Sequence, residues 1–568
     1  MNNSSASIPV LTAADLARTV PEFGVALSLS ESGRLAEATA LFSALSDRAP
    51  TAVMAQHQLA LIAARQNDWV RAEDVLRRAL TLSPGQPMLL QTLVTVLQDA
   101  GRLSNALDVM LDLGCALHAL GDLPGAIAVY HRMLAIDPLR YGAWANLGTD
   151  LGHLAEPEAA AKHLFRAVVL AGRIIPVLKI FAQRLEEQVA QRGLELNAAD
   201  APTVPPMPPT GPVDKVADIL TSLGKAMSDL GHAQAAVACH RMSVEMRPVY
   251  DLGHWNLSLA LLALGQYEEG WSEYEWRWLR EPTLDPRRLL PLPRWTGKSG
   301  QGQKLMVFAE QGYGDTLQFA PLVSRLAQQS ARVVFQVHQP MVRLLAHNLN
   351  SDKLSVISLP NHPDEIGTDE PLDGFVAQMS LPHFMGLKRD ELPIQTRRIT
   401  AIPSDMEFWS NRLGPRTKPR VGIVWAGRPQ HSNDRNRSMP MEALRDLLTP
   451  DFGVEWISLQ RGAREQEFSE LLPKALNPGD ELRDFADTAA LITQLDLVIS
   501  VDTGTAHLAA AMGCPVWMML PFAADWRWEQ DQEKTDWYPT MSLFRQPRIG
   551  DWANVVQRIS AGLSGVFS

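Results

Sequence analysis

Asp502, Thr503, Gly504, Thr505 and His507 follow an apolar run ending at Val501. A stretch of small helix-forming residues, 506–512, comes next, and a second apolar run starts at 515. The order reads as buried strand, tight polar turn, short helix, strand. A helix opened by Thr-Gly-Thr aims free backbone N–H groups and hydroxyls at one point, which is how helix N-termini hold phosphate. Any strand-turn-helix unit of a doubly wound sheet can carry the same residues, so the chemistry needs partners elsewhere in the chain.

Three further segments could supply them. Gly312-Tyr313-Gly314-Asp315-Thr316 joins the apolar run 304–309 to a helical stretch reaching about Gln329. Gly312 and Gly314 permit close backbone approach, and Asp315 would stand at the mouth of a cleft, although aspartate also caps helices. Arg428, Arg435 and Arg437 lie in the polar loop 427–440, beside Ser and Asn donors. They could clamp an anion through paired hydrogen bonds, the alternative being a solvated charged loop. Gln460 ends the run 454–459 at the sheet edge where open α/β sheets take ligands, and could hydrogen-bond a nucleotide. Asp487 reads as a helix cap. Residues 521–528, with Arg527, and Trp537-Tyr538-Pro539 form an aromatic rim, suited either to sugar or base contacts or to packing between domains.

Two alternating sets of strands and helices must position these residues. Strand-like runs at 304–309, 332–337, 354–359 and 374–379 are followed, after a break at 403–419, by runs at 421–426, 454–459, 496–501 and 515–520. Such alternation predicts parallel sheets in two Rossmann-like domains, 300–402 and 415–565, facing a cleft.

The first half of the chain repeats. Ala38 and Ala72 stand 34 residues apart, as do Pro50 and Pro84, and Ala126 and Ala160. Gly33, Gly101, Gly121, Gly231 and Gly265 mark turns between helical runs. Ala106 and Ala126 are only 20 apart, which predicts a kink or a shared helix between them. Six prolines within 201–212 read as an extended linker. The expected divisions are a tail, 1–20, a helical array, 21–197, a linker, 198–214, and a C-terminal repeat pair, 215–285. That pair ends in Trp271, Tyr274, Trp276 and Trp278, read first as packing against the next domain and second as a sugar-stacking platform.

At 568 residues the chain is too long for one core. A net charge of −11 argues against a nucleic-acid binder. Cys115, Cys239 and Cys514 are too scattered for a zinc site or a disulfide framework. No signal pattern opens the chain, and no apolar run approaches the ~20 residues that span a bilayer, so a cytoplasmic protein is expected.

The repeats resemble the tetratricopeptide repeat, whose small and aromatic positions let two antiparallel helices nest. The stretch 498–516 and the Gly-Asp turn at 314–315 resemble family 9 glycosyltransferases, the heptosyltransferase-like group of GT-B architecture. Trp425-Ala426-Gly427 and Asn433-Asp434-Arg435-Asn436-Arg437-Ser438 resemble repeat-linked proteins of this type. They depart from lipopolysaccharide heptosyltransferases, which place a Lys where Arg435 or Arg437 stands. The resemblance implies an α-helical solenoid followed by an α/β GT-B pair, and an inverting transfer from a nucleotide sugar without metal or other cofactor. It assigns Asp315 as the base. Asp502, Thr503, Gly504, Thr505, His507, Arg435 and Arg437 fall at the donor diphosphate, with Gln460, Gly312, Gly314 and Arg428 on its rim. The repeat groove would recruit an acceptor as an extended or helical protein segment, for O-glycosylation of a flagellin or surface protein. A lipopolysaccharide or exopolysaccharide transferase and a non-catalytic repeat scaffold are the alternatives.

Overall fold

The computed structural model describes residues 11–173, 175–196, 213–279, 292–297, 302–360, 365–394, 398–430, 433–462 and 464–567. The proline-rich linker expected at 198–214 lies almost wholly outside them, as does the start of the N-terminal tail. The chain divides into two compact units, 1–226 and 227–568.

The first unit is a run of antiparallel helices. A residue in the left-handed region turns the chain between two helices at Gly33, Gly101 and Gly121, and also at Asn67 and Ala155. Those last two turns carry no glycine, so a search for glycines passes over them. The helix Leu103–Ala119 is continuous over 17 residues and packs on both Pro87–Asp99 and Leu123–Ile136. The short spacing of Ala106 and Ala126 therefore reflects a shared helix rather than a kink. Its second half nests closely, since a side chain at Gly114 would run into the Tyr130 ring.

The second unit begins inside the helix Val213–Asp229. Helices Ala233–Met246, Asp251–Ala263 and Tyr267–Tyr274 lead into a 3-10 turn, Glu275–Leu279. Four parallel strands follow: β1 (Lys304–Phe308), β2 (Arg332–Val337), β3 (Leu354–Ser358) and β4 (Gly374–Ala377), in the order β3-β2-β1-β4. The second sheet contains β5 (Arg420–Val424), β6 (Glu455–Ser458), β7 (Leu497–Val501), β8 (Val516–Leu520) and β9 (Met541–Arg545), in the order β6-β5-β7-β8-β9, again all parallel. Strands β5 and β7 are buried along their whole length, as a sheet covered on both faces requires. The ninth strand was not expected. The architecture is a helical array followed by tandem parallel-sheet α/β domains.

The last helices belong to the core of the sheet domains. Trp271 and Tyr274 are buried in one cluster with Val307 of β1 and Phe335 of β2. The Trp271 ring meets Phe319 and Trp526 edge to face, with centroids 5.7 and 5.2 Å apart. The aromatic cluster is therefore packing, not a sugar platform, at these two positions. Trp276 stacks on His254 at 3.7 Å. Arg277, buried, grips both carboxylate oxygens of Glu310 at 2.7 and 3.1 Å, fixing the loop after β1. Burial opposes its charge, but Glu310 and Glu275 outweigh that and raise its pKa.

Candidate active site

The loop that Arg277 braces ends at Gly312, the N-cap of the helix Tyr313–Gln329. Asp315, the third helical residue, folds back so that Oδ2 accepts from the Gly312 N–H at 2.9 Å. Its Oδ1 pairs with the guanidinium of Arg527, which lies in the turn after β8. Arg527 also donates to Gln318 Oε1 at 2.6 Å and to Asp525 Oδ1 at 2.7 Å. Burial works against the Arg527 charge, but the Asp525 and Asp315 carboxylates outweigh it and lift its pKa. Asp315 thus closes its own helix end and joins the two sheet domains. Capping and a place at the cleft were alternatives in the sequence; here one carboxylate does both.

His338 stands directly after β2 at the same sheet edge. Its ring meets Tyr313 edge to face at 5.3 Å, and its Nδ1 is buried without a partner among the described residues. Burial lowers its pKa, Asp315 opposing and Arg428 reinforcing the shift. The sequence reading passed over His338. The signal was there, a polar residue just past a strand at the ligand-binding edge, as with Gln460.

On the facing side, β7 runs into the helix Gly504–Ala511 with Thr503 as N-cap in extended conformation. The Thr503 hydroxyl lies 3.0 Å from that of Ser500. Among the described residues no group accepts from the backbone N–H of Gly504 or Thr505, and both residues are partly open to solvent. Arg437 donates to the Asp502 carbonyl at 3.3 Å and approaches Asp434 at 3.3 Å, which ties the arginine loop to the strand end. Arg428 and Arg435 are exposed, and no acidic group among the described residues pairs with either. Residues 431–432 of the loop lie outside the described set.

The two helix starts touch. A Cβ at Gly314 would fall 2.7 Å from His507 Cδ2, and one at Gly504 would fall 3.0 Å from the Tyr313 Cβ. Gly314 and Gly504 are small because two first turns abut there.

Four sequence assignments change. His507 is buried, its Nδ1 3.0 Å from the Tyr538 hydroxyl and its Nε2 3.5 Å from Asp502, so it braces the turn instead of facing phosphate. The Asp502 carboxylate accepts from Trp528 Nε1 at 2.9 Å. Burial pushes its pKa up, but His507 and Trp528 overcome that and hold it low, at about 2. An ionised carboxylate donates nothing to phosphate, so Asp502 is a brace as well. Gln460 is buried, accepts from the Trp425 and Ala426 N–H groups at 3.2 and 3.0 Å, and donates to the Ala426 and Arg461 carbonyls at 3.1 and 3.0 Å. It has nothing left for a nucleotide, and it fixes the end of β5. The cap of the helix Phe485–Ile492 is Asp484, not Asp487, which is paired with Arg483. Gly312 lies beside Asp315, a Cβ there falling 3.2 Å from Oδ2.

Taken together, a helical repeat array leads into paired α/β domains whose ligand-binding edges carry a carboxylate on one side and an open helix end on the other. Residues 25–87 match the tetratricopeptide-repeat family, and residues 460–517 match glycosyltransferase family 9 (heptosyltransferase). The chain thus resembles tetratricopeptide repeats in its first unit and family 9 glycosyltransferases in its second. Protein FlbA of Caulobacter vibrioides is 28% identical over 367 residues, 60% of this chain and 60% of that relative, so the match spans about three-fifths of its length. Among solved structures, the family 9 glycosyl transferase from Veillonella parvula has a TM-score of 0.34 at 10% identity, covering 44% of this chain and 88% of its own. The E. coli ADP-heptose LPS heptosyltransferase II has a TM-score of 0.31 at 12% identity, covering 46% of this chain and 98% of its own. The O-GlcNAc transferase of Thermobaculum terrenum has a TM-score of 0.27 at 13% identity, covering 81% of this chain and 89% of its own. No helix among the described residues is long and apolar enough to cross a membrane.

Proposed function

We propose that this protein is a glycosyltransferase that transfers a sugar from a nucleotide diphosphate donor, with inversion and without metal, to a protein acceptor recruited by the repeats. The observation that carries the reading is the pairing of Asp315 on one helix start with the unused N–H groups of Gly504 and Thr505 on the other. In this scheme the acceptor hydroxyl attacks the anomeric carbon and gives its proton to Asp315, while the bond from that carbon to the diphosphate oxygen breaks. Negative charge then grows on the leaving diphosphate. In this scheme the N–H groups of Gly504 and Thr505, with Arg435, Arg437 and Arg428, stabilise it. Arg527 holds Asp315 in place.

The acceptor class rests on the repeats, since stacked helix pairs present surfaces suited to protein segments. We place the reaction in the cytoplasm, in keeping with three free cysteines. The test is label transfer from UDP-, GDP-, TDP- and ADP-sugars into a lysate, separated into protein and solvent-extractable glycolipid. Label in protein is expected. Label only in glycolipid would establish the polysaccharide alternative, and nucleotide binding with no transfer or donor hydrolysis would establish the scaffold. Donor hydrolysis should persist in EDTA.

A further inference from the structure

Away from the cleft, the repeat array gathers three metal-binding side chains from distant parts of the sequence. His118 lies in the last turn of Leu103–Ala119, while Asp150 and His153 lie three residues apart on one face of Tyr141–His153. The two helices pack against each other. One donor atom from each residue lies within 4.8 Å of the other two. His118 Nδ1 is 2.6 Å from Asp150 Oδ1, and the His118 and His153 rings have centroids 5.4 Å apart. Asp150 is 1% exposed, and its other oxygen, Oδ2, is buried with no hydrogen-bond partner among the described residues.

A buried carboxylate with an unmet oxygen is costly unless a cation compensates it. Among the described residues neither Lys nor Arg pairs with Asp150; its only ion-pair partner is His118. Two imidazoles and one carboxylate are the donor set that borderline divalent metals prefer, whereas calcium and magnesium favour oxygen donors.

We propose that His118, Asp150 and His153 bind a divalent transition metal of the zinc class. The ion takes the place of the hydrogen bond between His118 Nδ1 and Asp150 Oδ1. Asp150 forms the floor of the site, with the partly exposed His118 and the exposed His153 at its rim. Three protein donors leave a fourth position open to water or to a side chain of a bound partner. Because the donors sit on two helices, the ion cross-links successive repeats.

The test uses the full chain, purified without a histidine tag and stripped with a chelator, titrated with Zn²⁺ by calorimetry and with Co²⁺ by visible absorption. One saturable equivalent is expected, with a higher thermal midpoint and the absorption bands of nitrogen- and oxygen-ligated cobalt. Asp150→Asn and His153→Ala should each weaken binding by at least about tenfold. His163→Ala, from the other histidine pair of the array, should leave it unchanged. His153 is exposed, so its removal cannot unfold the array, and that variant decides the matter if Asp150→Asn folds poorly. No saturable binding by the wild type, or wild-type binding by His153→Ala, would overturn the site.

Discussion

The helices beginning at Tyr313 and Gly504 start alike, each after a parallel strand with glycine and a carboxylate at hand, and their first turns abut. They differ in where the carboxylate goes. Asp315 sits inside its helix and folds back on the N-cap N–H, filling the positive end of that helix. Asp502 precedes its N-cap and turns away to Trp528 and His507, leaving the end of the second helix open. A shift of a few residues thus leaves one helix end filled by its own carboxylate and the other open. In the proposed reaction, base and leaving-group site then face each other without cancelling.

The largest effect is expected from removing the link between the two sides. Arg527→Met leaves Asp315 and Asp525 without their buried cation and should cost about 3–5 kcal/mol. Urea unfolding followed by tryptophan fluorescence will read this. An unchanged midpoint would mean that the pairing does not hold the domains.

Asp315→Asn keeps an acceptor for the Gly312 N–H but cannot take a proton. Turnover should fall by roughly 10² or more with nucleotide affinity retained. Near-normal transfer would make the two carboxylates alike, both structural. Arg435→Ala removes a cation that no carboxylate among the described residues pairs with. Nucleoside diphosphate affinity should drop about 5-fold, with a smaller difference in high salt.

The smallest effect concerns Asp502. Its folded pKa lies below 3.8, near 2, so its stabilisation is present above the unfolded value and fades as pH falls from about 4 towards 2. Acid unfolding of Asp502→Asn should differ from wild type at pH 5 and converge with it near pH 2. Curves that stay apart at pH 2 would assign the difference to packing.

The strands were legible because long apolar runs in a covered parallel sheet leave little ambiguity. Strand β9, Met541–Arg545, was not, since it is short and has no β-branched residue. Gln460 and His507 show a second boundary of legibility. Their positions at strand and helix ends were right, but the sequence does not say which way a side chain turns, and both turn inward. Arg527 and Asp315 meet only through tertiary structure, 212 residues apart. The trio of His118, Asp150 and His153 forms no sequence motif, since His118 lies 32 residues before Asp150 on another helix.

The division of labour between the two helix starts is tested most directly at the backbone of Thr505. Thr505→Pro removes one N–H that no described residue uses, at a first-turn position where proline is tolerated. Gly504 is the poorer probe, because a side chain there would press on Tyr313. Calorimetry with UDP, GDP, TDP and ADP first identifies the diphosphate that the wild type binds. For that nucleotide the variant should lose about tenfold or more in affinity while its thermal midpoint without nucleotide stays unchanged. Equal affinity in the two proteins would contradict the account and remove the diphosphate from the end of the Gly504 helix.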